Sequence, residues 1–206
     1  MNDNYCIITN SKLGTFFKTL KIFKLEKKNF LIISSKKYRY PKKKNINILY
    51  FSDRDHLNFN KLAFNACVNF KPKKIILFYT KLIDKLIYNN FYTVNIHNSL
   101  LPNYKGLNAI KRTFKDGNKI FCSSAHLVNE KFDSGEILYQ VSTPIKKLKV
   151  TILKKIAFKQ RVLLLLALLT NKKASKSHSL FCKSTVLCPG LHKNKFKKEL
   201  FKLFKI

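Results

Sequence analysis

Two stretches of the chain carry the polar residue types that acid–base and acyl chemistry need. Asn95 and His97 stand two positions apart in a β-rich run, so an extended chain points both side chains to one side. Asp133 lies in the loop 130–136, which holds three of the ten acidic residues. An amide can stabilise an oxyanion, an imidazole can transfer a proton, and a carboxylate can set the protonation state of that imidazole. The set favours acyl transfer.

The spacing by itself leaves a second interpretation open. Asn95 and His97 could belong to a turn in which their side chains satisfy backbone groups, with no chemical role.

The hydrophobic pattern predicts the elements that would position these residues. Short apolar or β-rich runs predict strands at Tyr5–Ile8, Phe30–Ile33, Ile46–Phe51, Ile75–Tyr79, Phe91–Ile96, Ile120–Val128 and Ile137–Val141. Helical spacing predicts helices over Leu13–Phe23, around Leu62–Ala66 and ending before Pro72, over Ala109–Phe114, and over Val150–Leu169. Alternating strands and helices predict an α/β fold with a largely parallel sheet, because parallel strands need helical crossovers.

A length of 206 residues fits one domain with a short appendage. We assign residues 1–170 to a catalytic domain and the Lys- and Ser-rich residues 171–206 to a basic C-terminal appendage. The longest apolar run, Val162–Leu169, is too short for a membrane span, and the N-terminus lacks the basic region of a secretory signal. Five cysteines without a CxxC pair are typical of free thiols, so we expect a cytoplasmic protein.

The formal net charge of +32 predicts some affinity for polyanions. Only four of the 42 basic residues are arginine, the residue type that base reading and bidentate phosphate contacts favour. Lys, Asn, Ile and Phe are all frequent, as AT-rich coding produces. The charge therefore indicates nonspecific polyanion binding and does not identify a partner.

The stretch NIHNSLLPNYKG, followed by SAHLV and DSGEI, resembles the 10-formyltetrahydrofolate-dependent formyltransferase family. That family reads approximately N-x-H-x-S-L-L-P, then a glycine, then a D-x-G loop. The resemblance covers Lys74–Ile145, and the 36 residues from His97 to Asp133 match the family's spacing. It implies a Rossmann-like formyltransferase fold, 10-formyltetrahydrofolate as co-substrate, no metal, and Asn95, His97 and Asp133 as the catalytic residues.

Within the family, the sequence is most similar to the branch that formylates glycinamide ribonucleotide in purine biosynthesis. The length, the residues that follow Gly106, and His126 in SAHLV favour this branch over methionyl-tRNA formyltransferases, which add a C-terminal domain. The resemblance implies that His126 supports the catalytic site. We expect small-molecule partners, the ribonucleotide and the folate, and no membrane partner.

The resemblance also implies where these ligands bind. The ribonucleotide phosphate would lie at the first strand–helix loop, against Ser11, Lys12, Leu13, Gly14 and Thr15. The folate would contact Tyr79, Thr80, Lys81, Leu82, Ile83, Val128, Asn129 and Glu130. Further substrate contacts would come from Gly106 and Gln160.

Two departures from the family pattern keep other functions open. The phosphate loop has a single glycine, and Gln160 stands where the family has a charged glutamate. The acceptor could therefore be methionyl-tRNA or a sugar nucleotide. A degenerate, non-enzymatic family member that binds nucleic acid is a third alternative.

Two further groups of possible metal ligands are better explained without a metal. His178, Cys182, Cys188 and His192 are symmetrically spaced, but this spacing matches no common zinc module. His56, beside Asp53 and Asp55, is predicted to lie in a solvated turn.

Overall fold

The structure is a computed structural model that describes residues 3–14, 16–17, 20, 25, 27–38, 44–145, 149–170, 178–181 and 184–186. It contains two compact units. Unit 1 comprises residues 1–95 with 128–130, and unit 2 comprises residues 96–127 with 131–206.

Unit 1 is built on parallel strands. They are β1 (Asn4–Thr9), β2 (Asn29–Ser34), β3 (Ile46–Tyr50), β4 (Lys74–Phe78) and β5 (Thr93–His97), whose last two residues fall in unit 2. Their order is β3-β2-β1-β4-β5, and every neighbouring pair is parallel. The order therefore reverses between β1 and β4, which is where open α/β sheets bind their ligands.

Two helices of unit 1 follow strands β3 and β4. Helix α1 (His56–Phe70) begins at Asp55, whose side chain accepts a hydrogen bond from the backbone of Asn58. It ends at Lys71, which has a left-handed φ of 52° and directly precedes Pro72. Helix α2 (Lys85–Asn90) begins at Asp84, which caps it in the same way.

One part of the core of unit 1 lies between these strands and α1. Strand residues such as Ile8, Ile33 and Ile75 are fully buried, and they pack with Phe59 and Ala63 of α1. Strands β2 and β4 read as continuous apolar runs because nearly all of their residues are buried on both sides.

Unit 2 combines antiparallel strands with a long buried helix. Its elements are α3 (Ala109–Lys115), β6 (Ile120–Leu127), β7 (Ile137–Pro144), α4 (Val150–Thr170), β8 (His178–Phe181) and β9 (Ser184–Val186). Strands β6 and β7 pair antiparallel, as do β7 with β9 and β9 with β8. Residues 160–169 of α4 are all buried, and Leu153 and Ala157 of α4 pack on Phe121 of β6.

These observations confirm the predicted α/β fold with a largely parallel sheet. The predicted strands all form, with ends within three residues of the prediction. The sequence pattern did not indicate α2, because six residues are too few to show a helical period. The proposed boundary at residue 170 stays a prediction, since most of residues 171–206 lie outside the described part of the chain. Among the described residues, no helix is long and apolar enough to cross a membrane.

Replacing Asp55 by Ala should lower the free energy of unfolding by about 1 kcal/mol, because the start of α1 loses its cap. Urea denaturation followed by circular dichroism measures this change. The Asp55→Asn variant keeps a capping oxygen and should stay close to the wild type. Equal losses in both variants would contradict the capping role.

Candidate active site

The Asp133 carboxylate is the centre of a polar cluster in unit 2. Its Oδ2 accepts a hydrogen bond of 2.7 Å from the backbone N–H of Gly106. Its Oδ1 lies 3.3 Å from Nε2 of His126, and its Oδ2 lies 3.5 Å from Nδ1 of His97. Only 13% of the Asp133 side chain is exposed. One carboxylate thus faces two imidazoles in a largely buried setting.

The loop that carries Asp133 reaches this position through unusual backbone geometry. Asp133 has a φ of 47°, a left-handed conformation that aspartate tolerates better than most residues. Gly135 lies directly on the end of β6, so a Cβ atom added there would be 1.9 Å from the carbonyl oxygen of Leu127. The N–H of Leu127 donates to the carbonyl of Glu136 at 2.9 Å. A glycine at 135 therefore allows the loop to close on the strand that carries His126.

Hydrogen bonds to carbonyl groups orient both imidazoles. Nε2 of His97 lies 2.9 Å from the Tyr104 carbonyl oxygen, and Nδ1 of His126 lies 2.8 Å from the Leu127 carbonyl oxygen. A carbonyl only accepts, so these nitrogens carry the ring protons. The other nitrogen of each ring faces Asp133. The nitrogen of each ring that faces Asp133 can therefore take up a second proton, and the doubly protonated ring then donates that proton to the carboxylate.

The surroundings shift the pKa of Asp133 and of His97 downward. Burial raises the pKa of Asp133, but the hydrogen bonds from His126 and Gly106 and the nearby imidazoles outweigh it and lower the pKa to about 2. Burial is also the largest influence on His97 and lowers its pKa below 6.5, although the Asp133 charge acts in the opposite direction. The charge of Asp133 by itself would favour the protonated form of His97, but burial has the larger effect. At neutral pH His97 is mostly neutral and can accept a proton.

Three polar residues that the sequence analysis missed hold the loop between β5 and α3. Ser99 donates to the Tyr104 carbonyl, Ser124 donates to the Ser99 carbonyl at 2.7 Å, and Gln140 donates to the Leu101 carbonyl at 3.0 Å. These bonds fix the carbonyl that orients His97. The polar Ser124 inside the predicted strand β6 was the available signal, because buried polar groups need partners. No sequence pattern indicates that the backbone carbonyl of Tyr104 orients His97.

Asn95 lies on β5 two residues before His97, so the alternation of the strand directs both side chains to the same side. Both side chains are half-buried. Asn95 is the last residue of the first segment of unit 1. Its catalytic role stays a prediction.

The predicted substrate contacts of unit 2 are already engaged within the protein. The N–H of Gly106 is held by Asp133. Gln160 is buried, accepts from Ser123 at 2.8 Å, and donates to the Phe121 carbonyl and to Thr143. These bonds give Gln160 a role in packing α4 against β6 and β7, and its contact with a substrate stays a prediction.

The predicted ligand loops of unit 1 lie at the carboxyl ends of its strands. Ser11, Lys12, Leu13 and Gly14 follow β1, where Leu13 is buried in the core and Lys12 is exposed. Thr15 lies outside the described residues. Tyr79, Thr80, Lys81, Leu82 and Ile83 follow β4, and Val128, Asn129 and Glu130 belong to the same unit. Ligand binding by these residues stays a prediction.

The possible zinc ligands cannot be placed within the described structure. Cys182, Cys188 and His192 lie outside the described residues, and His178 is described only as part of β8.

Comparisons with known proteins place the chain in a family. The profile of the family described as "Formyl transferase" matches residues 9–168, and the chain belongs to this family. Phosphoribosylglycinamide formyltransferase of Haemophilus influenzae is 44% identical over 52 residues, which are 25% of this chain and 24% of that protein. Methionyl-tRNA formyltransferase of Helicobacter pylori is 32% identical over 143 residues, 64% of this chain and 46% of that protein. The matched stretches span less than half the length of these curated relatives.

Solved structures show the same fold at low sequence identity. Glycinamide ribonucleotide transformylase 1 of Symbiobacterium toebii superposes with a TM-score of 0.66 at 19% identity, covering 77% of this chain and 82% of that chain. A formyltetrahydrofolate deformylase of Pseudomonas syringae superposes with a TM-score of 0.69 at 14% identity, covering 90% and 66%. These similarities confirm the Rossmann-like formyltransferase fold.

Replacing Gly135 by Ala should lower the free energy of unfolding by about 1–3 kcal/mol, because the new methyl group meets a backbone carbonyl that cannot move freely. Thermal and urea denaturation measure this loss. Gly14→Ala is the matched control, because a Cβ there meets nothing within 4 Å. A Gly135→Ala variant as stable as Gly14→Ala would contradict the described packing.

The low pKa of Asp133 predicts a specific acid dependence of stability. Its ionised form contributes of order 2 kcal/mol above the ordinary pKa of 3.8, and this contribution is lost as the pH falls toward about 2. The Asp133→Asn variant should therefore be less stable than the wild type at about pH 6, and the gap should narrow toward about pH 2.5. Urea denaturation across this range measures the gap. A gap independent of pH would refute the assignment.

Proposed function

We propose that the protein transfers the formyl group of 10-formyltetrahydrofolate to the amine of glycinamide ribonucleotide, a step of purine biosynthesis. Membership of the formyl transferase family supports the reaction class. The observation that carries the proposal is the Asp133 carboxylate, which stays ionised next to His97 and His126. No step of this reaction requires a metal.

The geometry of the cluster suits the proton transfers of this reaction. The amine attacks the formyl carbon, a C–N bond forms, and the former carbonyl oxygen becomes an oxyanion that the Asn95 amide stabilises. Neutral His97 takes the proton that the amine loses, and the adjacent Asp133 stabilises the resulting imidazolium. His97 then returns the proton to N10 of the folate as the C–N10 bond breaks. His126 holds Asp133 from its other side.

The ligand sites and the cellular location complete the proposal. The ribonucleotide phosphate binds at Ser11–Gly14 and the folate at Tyr79–Ile83, at the reversal of strand order in unit 1. We expect the protein to act in the cytoplasm.

A second candidate acceptor is methionyl-tRNA. The match to a methionyl-tRNA formyltransferase runs over 143 residues, against 52 for the purine enzyme of Haemophilus influenzae. The net charge of +32 also suits a nucleic-acid substrate. A tRNA acceptor would show a steep fall of turnover with salt, whereas glycinamide ribonucleotide would not.

Turnover of 10-formyltetrahydrofolate with each acceptor in parallel tests the proposal. We expect formylation of glycinamide ribonucleotide by the wild type and a loss of kcat/KM of about 10²–10⁴ in the Asp133→Asn and His97→Ala variants. The control is Asp3→Asn, which removes an exposed carboxylate paired with Lys28. Preference for methionyl-tRNA would favour the second candidate, and a folded wild type inert with both acceptors would overturn both candidate functions.

A further inference from the structure

The segment Tyr79–Asp84 connects β4 to α2 in unit 1. It begins at the carboxyl end of β4, next to the carboxyl end of β1, where the strand order reverses. Its residues 79–83 are the folate-binding residues of the proposed function. What holds this segment in shape therefore bears on how the co-substrate binds.

Asp53, in the loop between β3 and α1, holds two residues of this segment. The hydroxyl of Tyr79 donates to Oδ2 of Asp53 at 2.8 Å. Nζ of Lys81 lies 3.3 Å from Oδ1 of Asp53 and donates to its carbonyl oxygen at 2.7 Å. Asp53 thus binds this one short segment through both of its carboxylate oxygens and its backbone oxygen.

Other residues of unit 1 hold the rest of the segment. Asn10 donates to the Thr80 hydroxyl at 2.6 Å, Nε2 of His56 lies 2.8 Å from the Leu82 carbonyl oxygen, and the Asp84 N–H donates to Asn60 at 3.0 Å. The ring of Tyr79 also stacks on that of Phe59, with centroids 5.3 Å apart. His56, which the sequence predicted to lie in a solvated turn, is the first residue of α1, and its ring bonds to a distant backbone group.

The side chains that anchor the segment are largely buried, whereas the segment also exposes an apolar side chain to solvent. Tyr79 is buried, and the Asp53 side chain is 17% exposed. Leu82 is 58% exposed, although it is a large apolar side chain. Leu82 thus offers an exposed apolar contact on an anchored segment, which suits the flat ring system of a folate.

The ionisation of Asp53 is consistent with this anchoring. Burial raises its pKa, but the hydrogen bonds from Tyr79 and Lys81 and the Lys81 charge lower it overall. Burial, followed by the bond to Asp53, raises the pKa of Tyr79. Tyr79 therefore stays a donor and Asp53 an acceptor across the physiological range.

We propose that Asp53 is a positioning residue for the co-substrate: through Tyr79 and Lys81 it holds Tyr79–Asp84 in the conformation that binds folate. The inference rests on the proposed function, from which it takes the folate-binding role of the segment. Asp53 does not contact the folate. A preformed segment does not have to be ordered when the ligand binds, so loss of the anchor weakens folate binding and leaves the chemical step unchanged.

The Asp53→Asn variant tests this role, because it keeps the size of the side chain and removes its charge. We expect the Kd for 5-formyltetrahydrofolate, measured by isothermal titration calorimetry, to rise about 10-fold, the loss of a single charged hydrogen bond. The KM for 10-formyltetrahydrofolate should rise in parallel. The kcat at saturating folate and the KM for the amine should stay at their wild-type values.

Tyr79→Phe removes the hydroxyl while keeping the ring that stacks on Phe59. It should weaken binding in the same direction, and the double variant should lose less than the two single effects combined, because both act through one contact. Asp3→Asn is the matched control, since Asp3 pairs with Lys28 at 2.9 Å just before β1, at the opposite end of the strand.

The outcomes separate this inference from the proposed function. A wild type that binds 5-formyltetrahydrofolate and variants that bind it equally tightly overturn the inference alone. A loss of kcat without a change in folate KM also overturns it. A folded wild type that neither binds folate nor turns it over overturns the proposed function and the inference together.

Discussion

The ionised carboxylate of Asp133 is the constraint on which the site of unit 2 depends. Taking a charge out of water is costly, and the Gly106 N–H offsets part of that cost, as do the two imidazoles when they are protonated. The same contacts fix the carboxylate next to His97, so the groups that make the charge tolerable also prepare it for proton transfer. The same conformation of the loop 131–136 is therefore needed for stability and for proton transfer.

This loop conformation in turn requires unusual backbone geometry. Asp133 adopts a left-handed φ, and Gly135 touches the Leu127 carbonyl too closely for any side chain. The ring orientation of His97 depends on a carbonyl, at Tyr104, in a loop held by Ser99, Ser124 and Gln140. The catalytic geometry thus rests on residues that do no chemistry themselves, as is common where reacting groups must be held within a fraction of an ångström.

Unit 1 shows the same arrangement around a different carboxylate. Asp53 binds Tyr79 and Lys81 where the strand order reverses. Asp133 likewise binds several polar groups in unit 2. The chain has only ten acidic residues against 42 basic ones. The two carboxylates with the most extensive described contacts are those that organise the two loops of functional interest. The lysines within the described part of the chain, in contrast, are mostly exposed and say little about the reaction.

The sequence by itself determined the strands, most of the helices and the α/β class, because apolar periodicity reports which residues are buried. It also determined the candidates Asn95, His97 and Asp133, since the motif spacing is a property of the chain. Only the tertiary structure decided that Gln160 is engaged inside the protein, that burial outweighs the Asp133 charge at His97, and that Asp53 and His56 hold Tyr79–Asp84. The reason is physical: hydrogen bonds to distant backbone groups, and the cost of removing a charge from water, depend on three-dimensional neighbours that no local pattern records.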